Sequence, residues 1–551
     1  MLLFAGCLSA QDNLSALLPM PNQVKQIESK KDFIISGKTT IQTNLPEDAF
    51  CIAELKDILR QRTGKTPTLS SSRSGSSVIR LILDPSVKGD GHYLLSVSEK
   101  TVSIKGATQG SILYGLMTLD QILLGDVCRT LSGKIAPIEI DDQPRFSYRS
   151  LMLDPARHFL PTEDVKFYID QMVRYKYNVL QLHLTDDQGW RIEIKKHPRL
   201  TGKGEFYTQE ELKDLVRYAA ERNVQIIPEL DIPGHTVAVL AAYPELGCSH
   251  TNSIPKTVGE TVNLMLCANN DKVYSLYQDI LTEVASIFPA PYIHLGGDEA
   301  QKGFWKKCPL CRQRMNKEHL ADVEDLQGYF MKRMSDYVRS KGREVIGWDE
   351  LTNSSFLPEG VIIQGWRGFG AAALKAAEKG HQFIMTPARI MYLIRYQGPQ
   401  WFEPQTYFGN NTLKDVYDYE PVQADWKPEY ASLLMGVQAS MWTEFCNKPE
   451  DVDYLVFPRL AALAEVAWTQ PAHKDWTSFL KGLDAYNEHL TAKGIVYARS
   501  MYNIQHTVTP NDGILEVELE CIRPDMEIHY TTDGSEPTAT SPLYEKIVPV
   551  K

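Results

Sequence analysis

Across residues 146–468, short apolar runs alternate with amphipathic helical patterns, and no other feature constrains the chain as tightly. The candidate strands are residues 150–153, 179–184, 225–230, 292–295, 345–348, 361–364, 382–385 and 434–439. Between them, Val165, Tyr168, Ile169, Met172 and Val173 fall on one helical face. Thr208 with Glu211 forms a capping box ahead of Leu212, Leu215, Val216 and Ala219. Val273, Tyr277, Ile280, Leu281, Val284 and Phe288 make a further apolar stripe. Eight β-then-α units are best closed as a parallel α/β barrel of the (β/α)8, or TIM, type. An open doubly wound sheet competes, but no GxGxxG follows any strand.

Such a barrel carries its chemistry at the C-terminal strand ends, so polar and aromatic residues are expected just after each apolar run. Asp154 to Phe159 follow the first, with Arg157 among them, and Asp186, Asp187 and Trp190 follow the second. The third is followed by Asp231 and His235, the fourth by Asp298-Glu299, and the fifth ends in Trp348-Asp349-Glu350. Trp366-Arg367 end the sixth, Tyr392 comes after the seventh, and Trp442-Thr443-Glu444 end the eighth.

The fourth ending, in PYIHLGGDEA at 291–300, is the centre of this set. Two glycines after a short strand allow close approach of backbone or ligand. Adjacent acids at a strand end point to different sides, so one can face a scissile bond while the other reaches elsewhere. If both enter one cleft, repulsion and desolvation raise at least one carboxyl's pKa. Taken alone, an Asp-Glu pair is also what a solvated loop carries. The other seven endings give it context.

Residues 15–142 precede the barrel as a small α/β supporting domain, with strands at 32–35, 39–43, 78–83, 93–98 and 101–105 and helices at 49–63 and 111–124. The barrel domain spans 145–495, with residues 452–468 and 476–493 as closing helices. Residues 500–551 turn to strand-like alternation and read as a short β-sandwich-like module, or part of one. The apolar start MLLFAGCLSAQDN reads as the tail of a truncated secretory leader at 1–10, and Phe4-Ala5-Gly6-Cys7 loosely resembles a lipoprotein acylation site at Cys7. No apolar stretch of about 18 residues is present, so no integral membrane span is expected. A formal charge of −11 argues against nucleic acid as a partner.

Cys308-Pro309-Leu310-Cys311 is a lone CxxC without a second pair at zinc-ribbon spacing. A local disulfide in a surface loop is therefore expected, and not a metal site. His183, His235 and His294 lie within or beside buried strands and read as hydrogen-bonded structural histidines. No phosphate loop is present, nor a Ser or Cys nucleophile with an evident base. Neither a cofactor nor a metal is expected. Aromatic rings with acids and an arginine at one mouth suit a sugar: ring faces stack on tryptophan while charged groups fix hydroxyls.

The segments DPARHF, HLTDDQGWR, ELDIPGH, HLGGDEA, QGW and MWTE, in this order, closely resemble the signature segments of glycoside hydrolase family 20, the β-N-acetylhexosaminidases. The resemblance covers the whole barrel. The preceding domain is similar to the family's α/β domain, and EIHYTTDGSEPT is similar to an immunoglobulin-like C-terminal module of some members. It implies an exo-acting retaining hydrolase of glycans with a terminal N-acetylhexosamine, working through the substrate's own 2-acetamido oxygen and an oxazolinium ion. Glu299 would be the general acid and then base, Asp298 would hold the acetamido N–H, and Tyr392 its oxygen. Trp348, Trp366 and Trp442 would wall the pocket, while Arg157 and Glu444 would bind the distal hydroxyls. Asp186 and His235, with Asp231 as a further candidate, would support the acid.

One departure stands out: the family's Tyr-Leu-Asp is here Tyr392-Leu393-Ile394-Arg395. Loss of that carboxylate implies altered recognition at the 4- or 6-hydroxyl, including tolerance of a 6-sulfate. Three other readings compete: a related enzyme releasing a disaccharide (lacto-N-biosidase-like), a non-catalytic glycan-binding barrel, and a metal-dependent hydrolase. The implied location is the periplasm or outer surface of a bacterium.

Overall fold

In a computed structural model, residues 17–28, 31–70, 77–127, 133–202, 204–248 and 265–550 are described. The expected leader and Cys7 lie outside them. Eight parallel strands close into a barrel, numbered here β1 (Tyr148–Leu153), β2 (Val179–His183), β3 (Gln225–Glu229), β4 (Tyr292–His294), β5 (Glu344–Trp348), β6 (Ile362–Gly365), β7 (Phe383–Met385) and β8 (Leu434–Met441). Closure is direct: Tyr148 to Leu153 pair with Gly436 to Met441. The strands read as near-continuous apolar runs because each is covered on both faces, by helices outside and by packed side chains within. The three expected helical stripes face the core on helices Thr162–Arg174, Gln209–Glu221 and Asp271–Ile287, with Val216 of the second half-buried. The Thr208–Glu211 capping box is formed.

The barrel interior changes in character along its axis. Tyr148, Val179, Ile227, Ile346, Ile362 and Ile384 fill the end where the strands begin. A buried polar layer with Gln181, His183, Glu229, His294 and Gln364 follows. At the C-terminal end Met152, Trp348, Trp366, Tyr392, Ile394 and Trp442 form a separate, largely aromatic cluster. An aliphatic plug therefore closes one end, and an aromatic cup opens at the other.

The preceding domain is a seven-stranded sheet in the order Gln23–Gln26, Ile138–Asp142, Tyr93–Val97, Thr101–Gly106, Val78–Leu83, Thr40–Thr43, Thr68–Leu69. Ile138–Asp142 is a strand beyond those expected from the sequence, at the end of the 15–142 domain. It pairs with two strands, alternates buried and exposed, and carries Asp142 inward. Asp142 accepts hydrogen bonds from Lys176 Nζ at 3.1 Å, Tyr93 Oη at 2.7 Å and Trp468 Nε1 at 3.0 Å, which ties the sheet to the barrel. Burial pushes the Lys176 ammonium below its ordinary value, with Asp142 acting against that shift. Lys176→Met is expected to destabilise the chain by about 3–5 kcal/mol, since it leaves the Asp142 carboxylate buried without its cation. Denaturant unfolding measures the loss, and adding Asp142→Asn should recover most of it.

After the barrel, residues 449–468 form two helices, Pro449–Val456 and Arg459–Trp468, because Pro458 interrupts the expected single one. Helix Trp476–Ala492 follows, and then an antiparallel sheet of Gln505–Asn511, Ile514–Glu520 and Val548–Val550. Among the described residues no helix is long and apolar enough to cross a membrane.

Cys308 and Cys311 do not form a surface-loop disulfide. Both are buried free thiols at the start of helix Pro309–Glu318. Their sulfurs face two further thiols, Cys248 and Cys267.

Candidate active site

The segment after β4 breaks strand geometry at once. Gly296 and Gly297 take φ of +65° and +103°, and Glu299 takes +45°. Gly296 has no substitute here, since a Cβ would lie 1.7 Å from Asp231 Oδ1. These turns remove the alternation expected of neighbouring strand residues. Asp298 Oδ2 and Glu299 Oε2 both lie 3.6 Å from the same nitrogen, His235 Nε2. The two acids thus share one cation rather than pointing apart. They differ in depth: Asp298 is 13% exposed at its side chain and Glu299 59%. The backbone N–H of Glu299 donates to Glu350 Oε1 at 3.1 Å, which fixes the turn.

His235 follows β3 and is itself held at φ +51°. Its Nδ1 is 3.2 Å from Asp186 Oδ1 after β2, so Asp186, His235 and the acid pair form one line. Burial disfavours the imidazolium, but Asp186 and Asp298 outweigh it and push His235 up to about 10. Asp186 Oδ2 also meets Arg157 Nη2 at 2.7 Å and His183 Nε2 at 2.8 Å. Despite its burial, these cations hold the Asp186 carboxyl well below the usual range. Asp231 is different. Burial, with the Asp298 and Glu229 carboxylates near it, holds its carboxyl well above that range. Its Oδ1 accepts the Gly297 N–H at 3.1 Å, so it braces the turn that presents Asp298.

The aromatic cup stands beside the acids. Trp348 and Trp442 have ring centroids 6.1 Å apart, Tyr392 and Trp442 5.7 Å, and Trp366 stacks on Tyr392 at 6.0 Å and 12°. Tyr392 follows β7 and bridges to Ser440 of β8, which fixes its backbone. Burial and the nearby Asp298 and Asp349 keep its phenol protonated, available as a hydrogen-bond donor. Arg157 lies over Trp442 at 4.9 Å and uses Nη1 on Asp154 at 3.1 Å. Two of its N–H edges are thus taken by carboxylates, while Nε has no partner. Glu444 stands exposed at the rim, where its charge acts on Arg157.

One residue of this centre escaped sequence reasoning. Glu229, fully buried at the end of β3, accepts from Trp348 Nε1 at 2.9 Å and Gln181 Nε2 at 2.7 Å. Its oxygens also meet His183 Nδ1 at 2.9 Å and His294 Nδ1 at 3.2 Å. Burial alone would raise its pKa, but the two imidazoles hold it well below the usual carboxylate range. Glu229 therefore anchors the floor tryptophan. The sole hint in the sequence is an acid inside an apolar strand.

At the position of the family's missing acid, Ile394 is 3% exposed and packs into the aromatic cup. Arg395 does not replace the lost charge. Its Nε donates to the Ala388 carbonyl at 2.7 Å and Nη1 to the Phe408 carbonyl at 2.7 Å, beneath the Tyr407 and Phe408 rings. This guanidinium holds a loop.

The model of the catalytic domain of glycosyl hydrolase family 20 matches residues 146–471, that of its domain 2 matches 14–143, and a chitobiase/β-hexosaminidase C-terminal domain matches 511–551. A β-hexosaminidase of Porphyromonas gingivalis is 36% identical, over 96% of this chain and 70% of its own. The exo-β-N-acetylglucosaminidase of Vibrio harveyi, solved with N-acetylglucosamine, has a TM-score of 0.77 at 30% identity, over 90% of this chain and 80% of its own. A mutant Streptomyces plicatus β-hexosaminidase solved with its product, N-acetylglucosamine, gives 0.76 at 33%, over 88% and 97%. The catalytic-domain match covers more than half of the sequence, and with these relatives it shows that the chain belongs to glycosyl hydrolase family 20.

Proposed function

We propose that the protein is an exo-acting, retaining β-N-acetylhexosaminidase that removes terminal β-linked N-acetylglucosamine or N-acetylgalactosamine from glycans, with the substrate's 2-acetamido group as nucleophile. The observation that carries this reading is the contrast in burial between the paired acids, which meet at one imidazole. Asp298 is largely buried, with its charge acting on the Tyr392 phenol of the aromatic cup, whereas Glu299 is open to solvent.

In this mechanism the acetamido N–H donates to Asp298 and Tyr392 donates to the acetamido oxygen. That oxygen attacks the anomeric carbon as Glu299 protonates the departing glycosidic oxygen, and the C–O bond breaks to leave an oxazolinium ion. Glu299, now a carboxylate, takes a proton from water. The water attacks the same carbon, reopens the ring and gives net retention. Asp298 balances the positive charge on the bicyclic ion, and His235 keeps both carboxylates in register. Holding the nucleophile in a near-attack pose supplies up to about 7–11 kcal/mol of the barrier reduction. Trp348, Trp366 and Trp442 wall the N-acetyl group and ring, and the unspent N–H groups of Arg157, with Glu444, reach the outer hydroxyls. A chromogenic N-acetyl-β-glucosaminide tests the reading: sugar release is expected, and binding of N-acetylglucosamine without turnover would make this a glycan-binding barrel instead.

Tolerance of a 6-sulfate belongs to the same proposal. Because Arg395 is spent on its loop, tolerance rests on the missing carboxylate alone, with no added attraction. The 6-sulfated N-acetylglucosaminide is expected to turn over within about tenfold of the plain sugar, a difference of about 1.4 kcal/mol or less. A preference for the plain sugar far beyond that sinks the idea. We place the enzyme in the cell envelope or outside the cell; recovery of the native protein from the cytoplasmic fraction would refute this.

A further inference from the structure

We propose that Cys248, Cys267, Cys308 and Cys311 form a closed structural zinc site that clamps the loop after β3 to the segment after β4. The four thiols come from three places in the chain. Cys248 and Cys267 flank a short antiparallel bridge, Gly247 to Leu266, with Cys248 N–H donating to Met265 O at 3.1 Å and Cys267 N–H to Leu246 O at 2.9 Å. Cys308 caps helix Pro309–Glu318, and Cys311 lies in its first turn. All four are 3% exposed or less.

The geometry is that of a ligand shell. The Sγ separations are 3.6 Å for Cys248–Cys311, 3.8 Å for Cys267–Cys311 and 4.0 Å for Cys267–Cys308, and all four sulfurs lie within 4.8 Å of one another. A tetrahedron with zinc–sulfur bonds of about 2.3 Å has edges of about 3.8 Å. Disulfide bonding would instead bring sulfurs pairwise to about 2.05 Å. At the start of the helix the Cys311 N–H donates to Cys308 Sγ at 3.5 Å, which turns that sulfur towards the cluster. Four soft thiolates in a tetrahedron select zinc among redox-inert ions. Binding releases the thiol protons to solvent with no change of oxidation state. With four protein ligands no coordination position stays open, so the ion has no part in the glycosidic chemistry.

Its role is positional. The loop after β3 carries Asp231 and His235, and the segment after β4 carries Asp298 and Glu299, so one ion ties together the two chain segments that must meet at His235 Nε2. Trp305 Nε1, donating to Leu266 O at 2.9 Å, packs the same junction.

The test uses the full chain purified without metal-affinity steps and analysed by elemental mass spectrometry. About one zinc per chain is expected, with the four thiols alkylated only after chelation in denaturant. Reconstitution with Co²⁺ should give the thiolate charge-transfer and d–d absorption of a tetrahedral S4 site. Cys308→Ser/Cys311→Ser should lose the zinc, while Cys51→Ser, a buried cysteine outside the cluster, should keep it. Iron in place of zinc, a chain lighter by four hydrogens from two disulfides, or a metal-free protein with four alkylatable thiols after growth in zinc-supplemented medium would each overturn the proposal. Metal content is read on the unmodified protein, so a variant that fails to fold does not blunt the test.

Discussion

Glu299→Gln should lower kcat/KM on a natural N-acetyl-β-glycoside by about 10²–10⁴, the usual worth of a positioned general acid and base. The substitution is conservative in shape and leaves in place the Glu299 backbone N–H that donates to Glu350. What it removes is the proton. The size of the loss should therefore follow the leaving group. An alkoxide departing from a sugar needs protonation as its bond breaks, whereas a nitrophenolate leaves nearly unaided. With a nitrophenyl substrate the first step should recover much of its rate, and the hydrolysis of the oxazolinium, which needs Glu299 as base, should become limiting. Steady-state rates across a series of aryl leaving groups make the comparison. Full activity of Glu299→Gln on a natural glycan would remove Glu299 from the mechanism.

How much of this could be read in the sequence depends on how local each cause is. The barrel was legible because its cause is local: each strand is an apolar run bounded by polar ends, and β1 to β8 lie within a few residues of the eight runs. Ile138–Asp142 was missed because the acid on its buried face, Asp142, is explained only by partners distant in the chain, Lys176 and Trp468. The same holds at the site. Asp298 and Glu299 announce themselves as a pair behind two glycines, but their convergence on one imidazole follows from backbone turns at Gly296, Gly297 and Glu299 that no pattern of residue types encodes. Glu229 looks like an error in a strand until His183, His294 and Trp348 are folded around it. The clustering of the cysteines was missed for a related reason. Spacing rules look for partners close in sequence, whereas a barrel crossover delivers Cys248 and Cys267 to Cys308 and Cys311 after two helices and a strand have intervened.

Asp298→Asn should cost about 10²–10³ in kcat/KM, the scale of removing one preorganised group that faces developing charge. It differs from Glu299→Gln in kind. Asn keeps the shape, yet it loses the carboxylate that accepts the acetamido N–H and balances the oxazolinium, so the nucleophile suffers rather than the leaving group. Its loss should hence be nearly the same for aryl and sugar leaving groups. Changing the substrate isolates the effect further. Replacing the 2-acetamido group by a hydroxyl should cripple both enzymes, but its cost should be smaller in Asp298→Asn by about the 10²–10³ that the variant has already lost; this is a coupling cycle between residue and substrate. The pH profile supplies an independent readout. Asp298 is one of the two carboxylates that keep His235 charged up to about 10. A raised imidazole value means the favourable interaction is complete at low pH and is lost as pH climbs through the folded value. Without the Asp298 charge that value must fall, and the alkaline limb of activity should move to lower pH in Asp298→Asn while staying in place in the parent. A loss that grows with leaving-group pKa, as in Glu299→Gln, together with an unmoved alkaline limb, would mean that Asp298 does not serve the acetamido group.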